Sequence, residues 1–230
     1  MIMKHLEALS NLEAARFAQR FFKTGPGEYA EGDLFRGIRV PVLRKLSVTL
    51  DDFPMPEVIR LLASVFHEDR FLALLMLMRR FAQGEELMRE KIYKLYLANT
   101  CFINNWDLVD VSAPHIVGCF LQYHGREPLY RLAGSASLWE RRIAMTATAH
   151  FIRRGELADT FALAELLLDD KEELIHKATG WMLREVGKRD QAALENFLLQ
   201  HYRQMPRVML RYAIERFPQE MRQRYLKGIL

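Results

Sequence analysis

The stretch Leu174-Ile175-His176-Lys177-Ala178-Thr179-Gly180-Trp181-Met182-Leu183-Arg184-Glu185-Val186-Gly187-Lys188-Arg189 decides the fold. Its apolar residues return at intervals of three and four, which places them on one side of a 3.6-residue helix, and it lacks the strict alternation of a half-buried strand. The same spacing runs through nearly all of the 230 residues, with no alternating β-branched runs, so the chain reads as all-α. Five segments align with one another: Phe71-Leu72-Ala73, Asp107-Leu108-Val109, Arg142-Ile143-Ala144, Lys177-Ala178 and Arg211-Tyr212-Ala213. Ala73, Val109, Ala144, Ala178 and Ala213 thus recur every 34 to 36 residues, the length of two short helices and their turns.

Small residues at those positions would let neighbouring helices approach closely. Identity between units is low, so the expectation is a degenerate HEAT-like array: an α–α solenoid wound into a superhelix with one concave surface, as a single domain over 1–230. Outside the repeat, Glu13 to Lys23 reads as a helix stopped by Thr24-Gly25-Pro26-Gly27, since that cluster cannot continue a helix. Gly25 to Gly37 is the longest irregular segment. Helices restart where proline can occupy a first turn, at Val40-Pro41-Val42 and again around Pro54 and Pro56.

Half of the residues are apolar, enough for a substantial core. Lys and Arg number 33 against 29 Asp and Glu, a formal charge of +4 that permits a polyanionic partner without demanding one. Cys101 and Cys119 have neither zinc-type spacing nor a CxxC arrangement, which argues against a disulfide framework or a structural metal and for a reduced, cytoplasmic protein. The first twenty residues lack the continuous apolar region of a signal peptide, and Leu72 to Met78 is too short to span a bilayer. None of the seven histidines forms an HxxxH or HExxH pair, so a metal enzyme is disfavoured and no metal or other cofactor is expected.

All three tryptophans fall in successive repeats, each beside charged residues. In Asn104-Asn105-Trp106-Asp107-Leu108-Val109-Asp110 either asparagine can cap a helix whose first turn favours Asp107. Trp106 and Asp110, four apart, project from one helix face. A bland alternative has Asp107 as a cap, Trp106 in the core and Asp110 paired with an arginine. Leu138-Trp139-Glu140-Arg141-Arg142 follows the capping serines of Ser135-Ala136-Ser137. Adjacent arginines near a helix start oppose the helix dipole and suggest either an anionic partner or a salt bridge to Glu140 or Asp110. Trp139 is expected in the core. In the opening stretch Lys177, Arg184, Lys188 and Arg189 make a basic stripe. Gly180, which costs a helix roughly 1 kcal/mol relative to Ala, implies close approach of either another helix or a DNA backbone.

Asn-Asn-Trp-Asp-Leu-Val-Asp at 104–110, Leu-Trp-Glu-Arg-Arg at 138–142, and His-Lys-Ala-Thr-Gly-Trp-Met-Leu-Arg-Glu at 176–185 resemble the signatures of the DNA alkylation repair (AlkD-like) glycosylases. The likeness extends over nearly the whole chain, including Leu34-Phe35-Arg36-Gly37-Ile38-Arg39-Val40-Pro41. It implies a HEAT-like superhelix that excises positively charged alkylated purines, N3-methyladenine and N7-methylguanine, from duplex DNA in base excision repair. It places the catalytic acid on Asp110, the lesion-facing tryptophans on Trp106 and Trp181, a cleft arginine on Arg142 and an N-terminal tyrosine on Tyr29. Lys177, Arg184, Lys188, Arg207 and Arg211 are the further cations expected along a DNA groove. The expected partner is alkylated double-stranded DNA, gripped by a monomer. The rival reading is a noncatalytic HEAT-repeat module that binds DNA or serves as a protein scaffold.

Overall fold

The computed structural model describes residues 2–50 and 52–229. Among these residues helices account for the regular structure, and the one bridge between extended segments is a parallel pairing of Leu34 with Phe66. The chain divides into two compact units after Leu108. The first contains α1 (Ile2–Ala8), α2 (Leu12–Phe21), α3 (Val40–Thr49), α4 (Met55–Leu62), α5 (His67–Gln83) and α6 (Glu86–Ala98). Helix α7 (Trp106–Ala113) carries the boundary within it, so Trp106 and Asp107 belong to the first unit and Asp110 to the second.

Helix α2 begins one residue before the expected Glu13 and ends two before Lys23, which itself takes a left-handed backbone at φ 55°. The irregular segment that follows is fastened to the start of α5 by three consecutive charged side chains. The Glu68 carboxylate accepts the backbone N–H groups of Arg36, Gly37 and Ile38 at 2.8, 2.7 and 3.2 Å. Asp69 takes the Arg36 guanidinium in a fork at 2.6 and 2.8 Å, and Arg70 reaches Asp33 at 2.7 Å. These bonds satisfy buried backbone donors that no helix or sheet would satisfy. Gly37 is required twice over, since its φ is 76° and an added Cβ would lie 2.2 Å from the Asn11 carbonyl oxygen.

In the second unit α7 runs on through a π-helical stretch, Pro114–Gly118, into α8 (Cys119–Leu121). There follow α9 (Glu127–Ala133), α10 (Leu138–Ala147), α11 (Ala149–Ile152), α12 (Ala158–Leu166), α13 (Glu173–Arg189), α14 (Gln191–His201), α15 (Arg207–Ala213) and α16 (Gln219–Lys227). Helix α10 packs on α9 and α13, while α13 packs on α12, α14 and α15, so paired helices add to their neighbours as in an α–α solenoid. The repeat positions mark the contacts: Ala73, Val109, Ala144, Ala178 and Ala213 are at most 1% exposed.

Two glycines repeat one geometry. A Cβ on Gly118 would lie 2.3 Å from the Ala147 carbonyl oxygen and 2.7 Å from the His150 Cβ. On Gly180 it would lie 2.4 Å from the Met209 oxygen and 2.6 Å from the Tyr212 Cβ. In each case the obstructing residues stand 29 and 32 positions further on, in the next helix pair. Gly180 therefore exists for helix packing, and the alternative of room for a DNA backbone at that glycine is set aside. Trp139, expected in the core, is instead half-buried in the first turn of α10, where Ser137 caps the helix by accepting the Glu140 N–H.

Candidate active site

Trp106 opens α7, with its backbone N–H donated to the buried Asn105 side chain at 2.8 Å. Its indole is half-buried and stacks on Phe22, with ring centroids 5.3 Å apart and planes inclined by 26°, while Phe21 meets it edge-on at 6.0 Å. The indole N–H donates to the Tyr29 hydroxyl at 3.3 Å. Tyr29 is brought to Trp106 by the irregular loop after α2. One side of this cluster opens into a cavity of about 580 Å³ whose wall includes Phe17, Phe22, Phe35, His67 and Asp107.

Asp107 is committed elsewhere. One carboxylate oxygen accepts the Leu108 N–H at 2.9 Å and the other meets the His67 Nε2 at 2.8 Å. The capping role expected of it is therefore combined with an ion pair that reaches across to α5. Burial pushes the His67 imidazolium down, but the hydrogen bond to Asp107 and the neighbouring Asp33 outweigh burial and raise its pKa. Burial likewise pushes Asp33 up, yet His67, Arg70 and Asn104 leave it below the ordinary carboxylate range.

In the second unit Asp110 is gripped by Arg142 of α10 in a two-pronged pair, Nε to Oδ1 at 2.9 Å and an amino nitrogen to Oδ2 at 2.8 Å. The third nitrogen of the same guanidinium donates to the Leu174 carbonyl oxygen at 2.5 Å. The Arg142 side chain is 6% exposed and that of Asp110 is 18% exposed, so the carboxylate stays partly exposed while its support is buried. Of the two explanations for the adjacent arginines, pairing is what the structure shows, for Arg141 is equally held by Asp170 at 2.6 Å. A planar fork fixes both oxygens of a carboxylate at once, which a lysine could not do.

Trp181 projects from α13 and is half-buried, its indole N–H donating to Glu185 at 3.2 Å. It lines a cavity of about 430 Å³ together with Met182, Arg153, Lys188 and Arg189. Lys188 pairs with the same Glu185 at 2.6 Å and Lys177 with Glu173 at 2.5 Å. Arg184 pairs with Glu215, and Arg207 donates to the Leu226 carbonyl at the end of α16. Arg211 is exposed on α15. Pairs at such exposure contribute little, roughly 0–1 kcal/mol, so a phosphate could displace the carboxylates at small cost.

The sequence reading missed His67, Asp33 and Arg153. A usable signal was present: oppositely charged residues spaced near one repeat length, as in Asp33 with Arg70, Arg36 with Asp69, Asp110 with Arg142 and Arg184 with Glu215. No group of three or more potential ligands that could hold a metal ion occurs among the described residues. Nor is any described helix long and apolar enough to cross a membrane.

The all-helical architecture has a counterpart among solved structures. A protein from Enterococcus faecalis, described as a predicted DNA alkylation repair enzyme, superposes with a TM-score of 0.70. The match covers 91% of this chain and 97% of that one at 17% identity, a level at which it establishes the fold. A search of curated proteins returned no match. The sequence model of the DNA alkylation repair enzyme family matches residues 2–217, nearly the whole length. The chain belongs to that family.

Proposed function

We propose that the protein is a DNA glycosylase that excises positively charged alkylated purines, N3-methyladenine and N7-methylguanine, from duplex DNA. The observation that carries this reading is the fork between Asp110 and Arg142: a partly exposed carboxylate held at both oxygens in a chain of the alkylation repair family. Alkylation at N3 or N7 leaves a cationic base that is already a good leaving group, so the remaining task is to stabilise the sugar as the N-glycosidic bond stretches. A fixed negative charge favours the developing oxocarbenium character more than it favours the ground state. Asp110 supplies that charge and Arg142 holds it in place. Trp106 and Trp181 offer π faces to the cationic base and deoxyribose, contacts worth about 0.5–2 kcal/mol each according to desolvation. Tyr29 shares the Trp106 contact through its hydroxyl.

Lys177, Arg184, Lys188, Arg207 and Arg211 serve as phosphate contacts, the first four exchanging weak surface partners for the DNA backbone. The protein acts as a monomer, and its two cysteines, which form no disulfide, suit a reducing cytoplasm. The deciding experiment incubates the pure protein with methylated duplex DNA and detects free methylated purines chromatographically. Release of either base supports the reading; tight DNA binding without release would leave a noncatalytic binding module.

A further inference from the structure

His67 is unusual among the buried residues of the first unit: a 3% exposed imidazole set in both an ionic chain and an aromatic stack. Its backbone N–H is anchored to the Leu34 carbonyl oxygen at 2.8 Å. Its Nε2 meets Asp107 at 2.8 Å, and its Nδ1 faces Asp33 at 3.8 Å, beyond direct hydrogen-bond reach. Arg70 closes the far end of the chain by pairing with Asp33 at 2.7 Å, and Asn104 also donates to Asp33 at 3.3 Å. Glu68, the next residue, is occupied by the backbone donors of the loop at 36–38. The order along the chain is Arg70, Asp33, His67, Asp107, so the charges alternate and cancel when the imidazole is protonated. Deprotonation leaves one uncompensated negative charge in a buried place.

The imidazole also joins two phenyl rings in a three-ring cluster, since Phe22 and Phe35 themselves stack at 5.1 Å. Phe22 lies 4.9 Å from the imidazole centroid and Phe35 lies 4.7 Å from it, at inclinations of 33° and 19°. Phe22 is the ring on which Trp106 stacks, and Asp107 is the residue next to Trp106. His67 thus touches Trp106 indirectly by two routes, one through the aromatic stack and one through the backbone of α7. A phenylalanine would fill the same space without desolvating a polar ring, so packing alone does not account for a histidine here. An imidazolium also gains from the face of Phe35, the ring stacked on it.

We propose that His67 is a positioning residue: as an imidazolium between Asp33 and Asp107 it fixes the stack of Phe22 on Trp106 and so sets the orientation of the indole toward the lesion. The functional part of this proposal rests on the reading of Trp106 as a lesion contact; the structural part does not. The raised pKa of His67 puts the change on the alkaline side of ordinary histidine titration.

The test uses the full chain with Trp139→Phe and Trp181→Phe, which leaves Trp106 as the one tryptophan. Its emission and acrylamide quenching are followed from mildly acid to mildly alkaline pH. A single transition is expected above the ordinary histidine range, absent in His67→Gln, which keeps a donor near the Nε2 position but cannot titrate. Asp33→Asn, which retains His67, should move the transition to lower pH because one carboxylate favouring the imidazolium is gone. No transition in the His67 protein, the same transition in His67→Gln, or an unmoved midpoint in Asp33→Asn each overturns the proposal. The titration of the His67 protein and of Asp33→Asn decides even where His67→Gln fails to fold.

In a parallel assay with all tryptophans present, single-turnover release of methylated purine should fall about fivefold across the same transition. That factor is equivalent to loss of roughly one net hydrogen bond. A flat rate profile beside a clear Trp106 transition refutes the functional part. Absence of base release at every pH refutes the glycosylase reading and leaves the fluorescence result to decide on His67.

Discussion

Asp110→Asn removes the charge on which the proposed chemistry depends while nearly preserving shape, and the structure allows both of its consequences to be sized. Arg142 now donates two bonds to the carboxylate, at 2.9 and 2.8 Å, from a guanidinium that is 6% exposed. An asparagine can accept only one of them and turns an NH₂ group toward the other prong. Hydrogen bonds to charged groups contribute about 1.5–3 kcal/mol, so the variant should lose roughly 2–3 kcal/mol of stability. For a chain of this size that lowers the melting midpoint by about 4–12 °C, and rates must be compared well below the variant's midpoint. The lost electrostatic stabilisation should raise the barrier by about 2–4 kcal/mol, a thirtyfold to thousandfold fall in single-turnover base release. Lesion-DNA affinity should stay nearly unchanged or rise slightly as repulsion from phosphates is relieved. Arg142→Gln supplies the contrast. It leaves the acid charged but unanchored and also abandons the Leu174 carbonyl, so it should cost about 3–5 kcal/mol of stability, more than Asp110→Asn, yet slow base release less. The two variants should therefore rank in opposite orders by thermal denaturation and by rate. A folded Asp110→Asn protein that releases methylated purine at the wild-type rate would refute the assignment of the acid.

Gly180→Ala should destabilise by about 1–3 kcal/mol, read from urea denaturation, because its Cβ meets the backbone of α15; a gain near 1 kcal/mol, as on a free helix face, would mean that the contact yields. Lys188→Ala or Arg207→Ala should weaken binding to all duplexes alike and reduce the salt slope by roughly one unit per phosphate contact, with lesion preference retained. An unchanged slope returns that residue to a solvated surface. Base release should persist in EDTA; loss in chelator with recovery on adding a divalent ion contradicts the metal-free mechanism. His150 is buried and its pKa is pushed down to about 4 by burial and by Arg154 and Arg153. It is neutral in the folded protein while the unfolded chain takes up a proton, so stability should decline as pH falls from the ordinary histidine range toward about 4. In His150→Gln that part of the acid-side loss should be absent from a pH series of melting midpoints.

The helical class and the repeat were legible because both depend on local spacing. The five small residues picked out by their interval are all sealed between helices, while α2 stops at Phe21, ahead of the breaker cluster expected to end it. Gly180 was legible only as a choice between two close neighbours. The choice required the backbone of α15, which lies 29 residues away in sequence. Trp139 was read as core from its apolar neighbour Leu138, but a residue in the first turn of a helix points back over the turn before it and here remains half-buried.

The charged residues show most clearly where local reasoning stops. A basic stripe on α13 was visible in the sequence, yet its members differ in what they touch: Lys177 and Lys188 hold acids of their own helix, and Arg184 holds Glu215 beyond it. Arg142 was counted among the cations facing DNA on the strength of resemblance. Its geometry gives it a different use, since all three of its nitrogens are committed to Asp110 and the Leu174 carbonyl. Such pairings join residues about one repeat apart, and their partners are fixed by the rotation between successive helix pairs, which hydrophobic periodicity does not encode. The two acids of α7 show the consequence. Sequence spacing ranked Asp110 above Asp107 because it shares a face with Trp106. The structure supplies a second, independent difference: Asp110 is held at both oxygens by a planar guanidinium fork, whereas Asp107 meets a single imidazole nitrogen. On the proposed reading, a carboxylate fixed at both oxygens suits the acid set against the sugar, and a single contact to the proposed positioning histidine suits the other.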